Sequence, residues 1–476
     1  MSARMKSRLG LDADVNRLPG DCAPELGGLG TEAERADRAV CDVLRAHYDG
    51  VPALIVPSPP GAGKTDLVEK VAAQEGGTRR RRCVIVTQTN QQAFELMMRL
   101  RAHYSVLPIA LYCRHSLVLP DQMVRSAMLQ IVHEPRQLPT GPCVVVANAM
   151  KLALSAVPIA SFDLMIVDEA WQLANHLFLA IAGLAKRVML VGDPGQIAPV
   201  ITADTTRWQA NLAGPHVPAP QALLATHPGT AVIGLPVSRR LVDDSAEIVQ
   251  RAFYPNLPFT ALERSTDRRV VFRTLAATHQ LDGALRGIER GQTLSMVELP
   301  QAAPITTDAE IAAVIARVVD RFVIRGANVV TRDGAHRVDG RRIGVVCAHR
   351  SQVRAVRARL TPAISSEVLV ETANRFQGLE RDITVVWHPL AGHPRVRDFH
   401  VDAGRFCVML SRHRVACVVV GRAGIMEVLD RYAPGDPPVL GVDTDPEFDG
   451  WFAHREILEH LINSNRVFPL ARRATT

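Results

Sequence analysis

The chain has 476 residues, of which 47% are hydrophobic and 22% are charged, and its formal net charge is +7. This balance is that of a globular protein and excludes a disordered or collagen-like chain, while the length suits two domains. The 8 cysteines lack the paired spacing of zinc sites or secreted disulfide frameworks, and no apolar run reaches the ~18 residues that span a membrane. We therefore expect a cytoplasmic protein with no zinc and no membrane partner.

The predicted elements begin after a loosely ordered lead-in at residues 1–31 and a helix from Glu32 to His47. Short apolar runs rich in β-branched residues then alternate with helical stretches. These runs are Ala53–Val56, Cys83–Val86, Cys143–Val146, Leu164–Val167, Val188–Val191 and Ala231–Leu235. The alternation predicts a parallel sheet covered by helices on both faces. We expect a first α/β domain at residues 32–235.

A second set of runs predicts another domain of the same class at residues 236–435. These runs are Ile343–Val346, Val368–Val370, Ile383–Trp387 and Ala416–Val420. A less patterned insertion at about 255–339 contains a predicted helix near Asp308–Ile324. Residues 436–476 are expected to form a C-terminal appendage.

The first strand leads into SPPGAGKT at residues 58–65, in the strand, glycine loop and helix order that binds phosphate. Gly61 and Gly63 let backbone N–H groups turn toward a phosphate. Lys64 supplies a positive charge to its oxygens. Ser58 stands where this pattern usually begins with glycine. The predicted nucleotide-binding residues of this loop are Pro60, Gly61, Ala62, Gly63, Lys64 and Thr65.

Two later strand ends carry groups that suit phosphate chemistry. Asp168 and Glu169 end one apolar strand, so Asp168, with the Thr65 hydroxyl, is expected to hold Mg²⁺ while Glu169 polarises the attacking water. Gln196 follows the next strand and is expected to reach the γ-phosphate. Each pattern alone also fits an ordinary polar strand end, but an ordinary role is less expected after a phosphate loop.

SPPGAGKT, VDEAWQ and GDPGQIAPV resemble motifs I, II and III of superfamily 1 helicases, most closely the up-frameshift-like branch. The resemblance implies the α/β fold class of the P-loop NTPases. It also implies two RecA-like domains with parallel sheets and an ATP site in the cleft between them. ATP with Mg²⁺ is the implied cofactor.

The second half extends the resemblance. LPVSRRL at 235–241 is similar to motif IV, whose arginine contacts the γ-phosphate; Arg240 is preferred to Arg239 for this role. Residues 371–382 resemble motif V, which implies that Gly378 approaches the nucleotide closely and Glu380 accepts hydrogen bonds from ribose. Asn374 replaces the family's aspartate there.

Residues 402–414 resemble motif VI and imply that Arg412 is an arginine finger. Residues 86–92 are similar to motif Ia, so Thr89 and Asn90 are predicted to contact nucleic-acid phosphates. Asn148 and His349 are weaker candidates for the same role, because polar residues closing strand ends would give the same pattern.

The motifs predict an ATP-dependent helicase or translocase on single-stranded DNA or RNA, and the branch implies 5′–3′ movement. A monomer is the working assumption. Two alternatives stay open: a nucleic-acid-stimulated translocase that does not unwind, and an ATP-dependent conformational switch or scaffold that never translocates. A P-loop kinase is excluded because the motifs of the second half would then have no purpose.

Overall fold

The computed structural model describes residues 31–120, 130–274, 279–303, 305–393, 396–432 and 446–471. These ranges form two compact units. The first contains residues 31–194 and 198–236, and the second contains residues 195–197, 237–432 and 446–471. Nearly all of the predicted lead-in, and residues 436–445 and 472–476 of the predicted appendage, lie outside the described residues.

The first unit alternates strands with helices. Its strands are β1 (Ala53–Pro57), β2 (Arg82–Thr87), β3 (Ile109–Tyr112), β4 (Gln130–Val132), β5 (Cys143–Asn148), β6 (Leu164–Val167), β7 (Val188–Gly192) and β8 (Ala231–Val232). Its α-helices are α1 (Glu32–Tyr48), α2 (Lys64–Ala73), α3 (Asn90–His103), α4 (Ala149–Ala153), α5 (Asn175–Ala182) and α6 (Ala219–Thr226).

Within the described residues these strands form one sheet in the order β4-β3-β5-β2-β6-β7-β1-β8, and each neighbouring pair is parallel. Side chains alternate between the faces of a strand. Leu54 and Val56 therefore enter one core, while Ile55 enters the core on the opposite face. The predicted parallel sheet covered on both faces is confirmed. Its carboxyl edge gathers the loops that follow β1, β2, β6 and β7.

The strand predicted at Ala231–Leu235 is shorter than expected, because β8 ends at Val232. Hydrogen bonds to β1 nevertheless continue, from the Ile233 N–H to the Ile55 carbonyl and from the Leu235 N–H to the Pro57 carbonyl, both at 3.0 Å. Pro236 follows directly and has no N–H to extend the ladder.

The second unit contains a larger and more varied set of elements. Its strands are β9 (Val237–Val242), β10 (Thr260–Glu263), β11 (Arg269–Phe272), β12 (Leu294–Leu299), β13 (Ala327–Thr331), β14 (Gly334–Arg337), β15 (Ile343–Cys347), β16 (Leu369–Thr372), β17 (Arg381–Trp387), β18 (His413–Arg422) and β19 (Val467–Pro469). Its α-helices are α7 (Asp243–Phe253), α8 (Asp282–Glu289), α9 (Ala309–Ile324), α10 (Arg350–Arg357), α11 (Pro362–Ser365), α12 (Ala373–Phe376), α13 (Asp398–Val401), α14 (Ala403–Leu410), α15 (Ile425–Arg431) and α16 (Pro446–Asn463).

The main sheet of this unit, over the described residues, has the order β16-β15-β17-β18-β12-β19 and is parallel. Strand β12 comes from residues 255–339, so this stretch builds part of the central sheet. The same stretch supplies the antiparallel sheet β11-β13-β14 and helix α9. Asp308 caps α9 by accepting hydrogen bonds from the Glu310 and Ile311 N–H groups.

The α/β fold class with two parallel-sheet units agrees with the RecA-like prediction. Among the described helices, none combines the length and the apolar character needed to cross a membrane.

Candidate functional site

The phosphate loop of the first unit joins β1 to α2. Gly61 and Gly63 adopt φ angles of 73° and 91°, a region that residues with a Cβ rarely enter. A Cβ built on Gly63 would meet nothing within 4 Å, so backbone conformation rather than crowding requires glycine there. Lys64 begins α2, and the first N–H groups of a helix lack intrahelical partners. The loop therefore presents donors and a partial positive charge to an anion.

Ser58 replaces the first glycine of the phosphate-loop pattern without disturbing the loop. Its side chain is fully buried, and Oγ donates to the Val56 carbonyl oxygen at 3.3 Å. Its backbone N–H donates to the Gly192 carbonyl at 2.8 Å, which fastens the loop to the end of β7. The hydroxyl is thus satisfied inside the first unit.

Lys64, Asp168 and Glu169, which are predicted catalytic or metal residues, meet at the end of β6. The Lys64 Nζ lies 3.3 Å from each carboxylate oxygen of Glu169. The Glu169 N–H donates to Asp168 Oδ1 at 3.0 Å, and Glu169 has a φ of 54°. Strain of this kind in a non-glycine residue is common at functional sites.

Burial, and next the charge of Glu169, raise the pKa of Asp168 to about 7, while Lys64 acts in the opposite direction. Two carboxylates at a buried strand end create a local excess of negative charge that a cation relieves. Carboxylate and hydroxyl oxygens are the ligands that Mg²⁺ prefers. The buried Asp168 therefore fits a nucleotide-bound Mg²⁺, and Thr65 stays a predicted ligand.

Residues predicted to contact nucleic acid follow β2 and β5, which are neighbours in the first sheet. Thr89 caps α3, where its Oγ1 accepts from the Gln92 N–H at 3.2 Å. The Asn148 amide donates to Asn90 Oδ1. Asn148 also caps α4 by accepting from the Lys151 N–H at 2.7 Å. The structure thus brings Asn90 and Asn148 together at the carboxyl edge.

In the second unit, predicted motif IV and motif V residues form an ion-pair network. The Arg240 Nε donates to Glu380 Oε2 at 2.7 Å, and the Arg414 Nη1 donates to Glu380 Oε1 at 3.3 Å. Burial raises the pKa of Glu380, but the charges of Arg240, Arg414 and Arg412 outweigh it and lower the pKa. Glu380 is therefore an ionised carboxylate whose two oxygens both contact guanidinium groups.

Gln196 lies beside predicted motifs V and VI within the second unit. The Gln377 Nε2 donates to Gln196 Oε1 at 3.2 Å. A Cβ at Gly404 would lie 2.6 Å from the Gln196 carbonyl oxygen, so glycine is required there for close packing. The structure thus joins three motifs that are far apart along the chain.

Arg405 and Arg412 of motif VI are buried in the second unit. Arg412, the predicted arginine finger, is 1% exposed. The Arg405 Nη1 donates to Asn374 Oδ1 at 2.8 Å. Asn374 replaces the family's aspartate, and its amide oxygen keeps the acceptor that Arg405 uses.

His349 lies at the start of α10 and packs among other rings. Its Nε2 is 3.2 Å from His400 Nε2, and its ring stacks on Phe399 with centroids 5.0 Å apart. Burial and, second, the charge of Arg405 lower the pKa of His349. The predicted nucleic-acid residue therefore belongs to a histidine cluster with its own chemistry.

Comparisons with known proteins find similar domains in two separate parts of the chain. Residues 48–202 and residues 261–424 match two different family models, each described as an AAA domain. The DNA replication ATP-dependent helicase/nuclease dna2 of Schizosaccharomyces pombe is 22% identical over 293 residues, which are 59% of this chain and 20% of that protein. The two AAA-domain matches, together with this helicase relative, support a helicase of superfamily 1. The chain spans about a fifth of the length of that curated relative.

Two solved helicase structures are also similar to this chain. The crystal structure of arterivirus nonstructural protein 10 (helicase) has a TM-score of 0.41 and 13% identity, over 82% of this chain and 61% of that one. The complex of the same arterivirus protein with DNA has a TM-score of 0.40 and 14% identity, over 82% and 63%. The up-frameshift-like branch remains a prediction.

Sequence reasoning missed the buried Arg268 in the second unit. Arg268 is 3% exposed and donates from Nη1 and Nη2 to the backbone carbonyls of Arg240 and Arg239, at 3.0 and 3.2 Å. Its Nε donates to Glu263 Oε2 at 2.8 Å. Arg268 lies between β10 and β11, where no helicase motif draws attention to it.

Proposed function

We propose that this chain is an ATP-dependent motor that binds single-stranded DNA or RNA and couples ATP hydrolysis to 5′–3′ movement along it. The observation that carries the proposal is the contact of Lys64 with Glu169 beside the buried Asp168, at the end of a phosphate loop. The contacts of Arg240 and Arg414 with the Glu380 carboxylate in the second unit support it.

The first unit supplies the groups that bind the nucleotide. The N–H groups of residues 60–65 and the Lys64 ammonium bind the β- and γ-phosphates. Asp168 and Thr65 would hold Mg²⁺, which would supply positive charge to the phosphate oxygens. Phosphate oxygens compete with Glu169 for Lys64, so nucleotide binding frees the Glu169 carboxylate to polarise a water molecule.

The second unit supplies groups that act during hydrolysis. Arg240 and Arg412 stabilise the negative charge that develops on the transferred phosphoryl group. Gln196, which is bonded to Gln377, reports whether the γ-phosphate is present. Glu380 exchanges contact with Arg240 for contact with the nucleotide ribose. Both sets of groups act in one hydrolysis cycle.

Nucleic acid is bound through its phosphates by short polar side chains at strand ends. Asn90 and Asn148 lie in contact at the carboxyl edge of the first sheet, and Thr89 and His349 are the further predicted contacts. Such groups position a strand without reading its bases. We therefore expect little sequence preference.

The first test measures steady-state ATP hydrolysis with no polymer, with single-stranded DNA and with single-stranded RNA. Lys64→Ala and Arg412→Ala should each abolish the stimulated rate. Lys70→Ala is the matched control, because Lys70 lies on the same helix, is 46% exposed and pairs with the exposed Asp66. A rate that neither polymer changes excludes the motor and favours the conformational switch.

The second test separates unwinding from translocation. Duplexes with a 5′ or a 3′ single-stranded tail report strand separation and its direction, and displacement of streptavidin from a biotinylated strand end reports translocation alone. We expect separation on the 5′-tailed duplex. Streptavidin displacement without strand separation would favour the non-unwinding translocase, and activity on the 3′-tailed duplex would reverse the proposed direction.

A further inference from the structure

Three histidines from separate elements converge in the second unit. His349 precedes α10, His393 lies in the loop after β17, and His400 lies in α13. One ring nitrogen from each lies within 4.8 Å of the others, a grouping of metal-ligand type among the described residues. The rings of His393 and His400 have centroids 3.8 Å apart. None of these contacts belongs to the ATP chemistry described above.

Burial makes this cluster costly without a ligand. His393 is 9% exposed and His400 is 6% exposed. The His393 Nε2 is buried and has no hydrogen-bond partner among the described residues. A buried polar nitrogen without a hydrogen-bond partner destabilises the folded chain. A ligand that takes a nitrogen lone pair would remove that cost.

We propose that His349, His393 and His400 together bind one divalent transition-metal ion, with Zn²⁺ as the expected ion. Imidazole nitrogens bind Zn²⁺ at about 2.0–2.1 Å with tetrahedral geometry, which places two ligand nitrogens roughly 3.4 Å apart. The 3.2 Å between the Nε2 atoms of His349 and His400 matches that spacing closely. Three imidazoles with no carboxylate favour zinc over magnesium or calcium.

The surroundings of the histidine rings determine their protonation state. Burial is the main cause that lowers the pKa of His393 to about 3 and that of His400 to about 4, so both rings are neutral at neutral pH, as metal ligands must be. The Arg405 guanidinium lies 3.8 Å over the Phe399 ring, close to the cluster. Its charge opposes a cation, so we expect weaker affinity than in cysteine-rich zinc sites.

Metal binding would replace two hydrogen bonds of His400 with a metal bond, because its Nε2 now shares a hydrogen bond with His349 Nε2. The His400 Nδ1 accepts from the Arg397 N–H at 3.1 Å, so the ring proton of His400 now lies on Nε2. Ligation through Nε2 moves that proton to Nδ1 and breaks the bond to Arg397. The ion would then fasten the loop after β17 to the start of α10. It would also occupy the His349 nitrogen that was predicted to contact nucleic acid.

The spacing of the cysteines predicted no zinc site. Zinc sites that can be recognised in a sequence usually show two pairs of closely spaced ligands. Here only His393 and His400 are near each other in the chain, and His349 joins them through the neighbouring strands β15 and β17. The fold alone brings the third ligand into place.

The experiment uses the full chain after removal of metal with EDTA and dialysis. Calorimetric titration with Zn²⁺ should give one equivalent per chain, and Co²⁺ should give the visible absorption of a tetrahedral complex. His393→Gln should weaken Zn²⁺ binding at least tenfold and remove the Co²⁺ band. His115→Gln is the matched control, because His115 is exposed and stacks on His133 in the first unit.

The proposal is overturned if wild-type protein binds no stoichiometric Zn²⁺, or if His393→Gln binds it as tightly as the wild type. Thermal unfolding with and without Zn²⁺ guards against a folding defect: the ion should raise the Tm of the wild type and of His115→Gln, but not of His393→Gln or His349→Gln. None of these measurements uses ATP, so their outcome is independent of the proposed motor activity.

Discussion

Arg268 donates a hydrogen bond from Nη1 to the backbone carbonyl oxygen of Arg240 at 3.0 Å. The same guanidinium contacts the Arg239 carbonyl and the Glu263 carboxylate. A planar guanidinium makes these bonds in fixed directions, which a lysine ammonium cannot reproduce. Arg268 therefore fixes the backbone that carries Arg240, and we assign it a positioning role in hydrolysis.

We predict that Arg268→Lys lowers kcat for polymer-stimulated ATP hydrolysis by about tenfold to a hundredfold, because small displacements of a catalytic group have effects of that size. KM for ATP should change little, since the phosphate loop is untouched. Arg269→Lys is the matched control, because Arg269 is the exposed neighbour.

Glu263→Gln is a milder variant of the same network and should lower kcat less than Arg268→Lys. Thermal unfolding identifies any variant that is merely misfolded. An unchanged kcat in a folded Arg268→Lys protein would leave Arg268 with a structural role alone.

The two neighbouring arginines of motif IV are predicted to differ strongly. Arg240 bonds to Glu380 and to the Ser411 carbonyl, whereas the Arg239 side chain is exposed. Arg240→Ala should lower kcat by about a thousandfold, which is the lower range for an arginine that stabilises phosphoryl transfer. Arg239→Ala should lower it less than threefold. Single-turnover hydrolysis at saturating ATP checks both variants, and equal effects would contradict the choice of Arg240.

Local sequence was sufficient for the elements that form the phosphate loop. The β-branched run before Ser58 predicts β1, and the glycine pattern predicts the turn, since both depend on neighbouring residues. Asp308 likewise predicts the start of α9, because its side chain caps the helix by accepting a hydrogen bond from the N–H group three residues later. The fold class followed from the repetition of such units.

Contacts between distant residues could not be predicted in the same way. Gln377 reaches Gln196 across 181 positions, and Arg268 bonds to backbone carbonyls, which carry no sequence signal. Strand β12 lay in a stretch whose patterning was weak, and its place depends on pairing with β18 and β19. These features follow from tertiary packing, so only the folded chain shows them.

Glu169→Gln should separate ATP binding from hydrolysis. The amide cannot act as a base toward water, so we expect kcat to fall by about a hundredfold to ten-thousandfold. ATP affinity should hold or increase, because Lys64 loses its ion pair with Glu169 and becomes available to phosphate. Binding of a fluorescent ATP analogue and steady-state hydrolysis measure the two effects. Glu95→Gln, an exposed change on α3, is the control, and a loss of affinity in Glu169→Gln would contradict the proposed competition for Lys64.

Acid should destabilise the chain partly through His413. This residue is 1% exposed, and its Nε2 lies 2.7 Å from Ser245 Oγ. Burial, and next the charge of Arg240, lower the pKa of His413 from the usual 6.5 to about 3. Between these values the unfolded chain binds a proton that the folded chain does not. The free energy of unfolding therefore falls as the pH drops below 6.5, by about 1.4 kcal/mol per pH unit for this group.

The contribution of His413 to this pH dependence is isolated by comparing wild type with His413→Gln in urea unfolding between about pH 6 and pH 4. As the pH falls, the free energy of unfolding of the wild type should decrease more steeply than that of His413→Gln. The difference in slope should be close to the value expected for the uptake of one proton. His388 is also buried with a pKa lowered to about 3, but it contributes equally to both proteins and cancels in the difference. Parallel slopes would show that His413 takes up its proton in the folded chain, which its burial against Ser245 argues against.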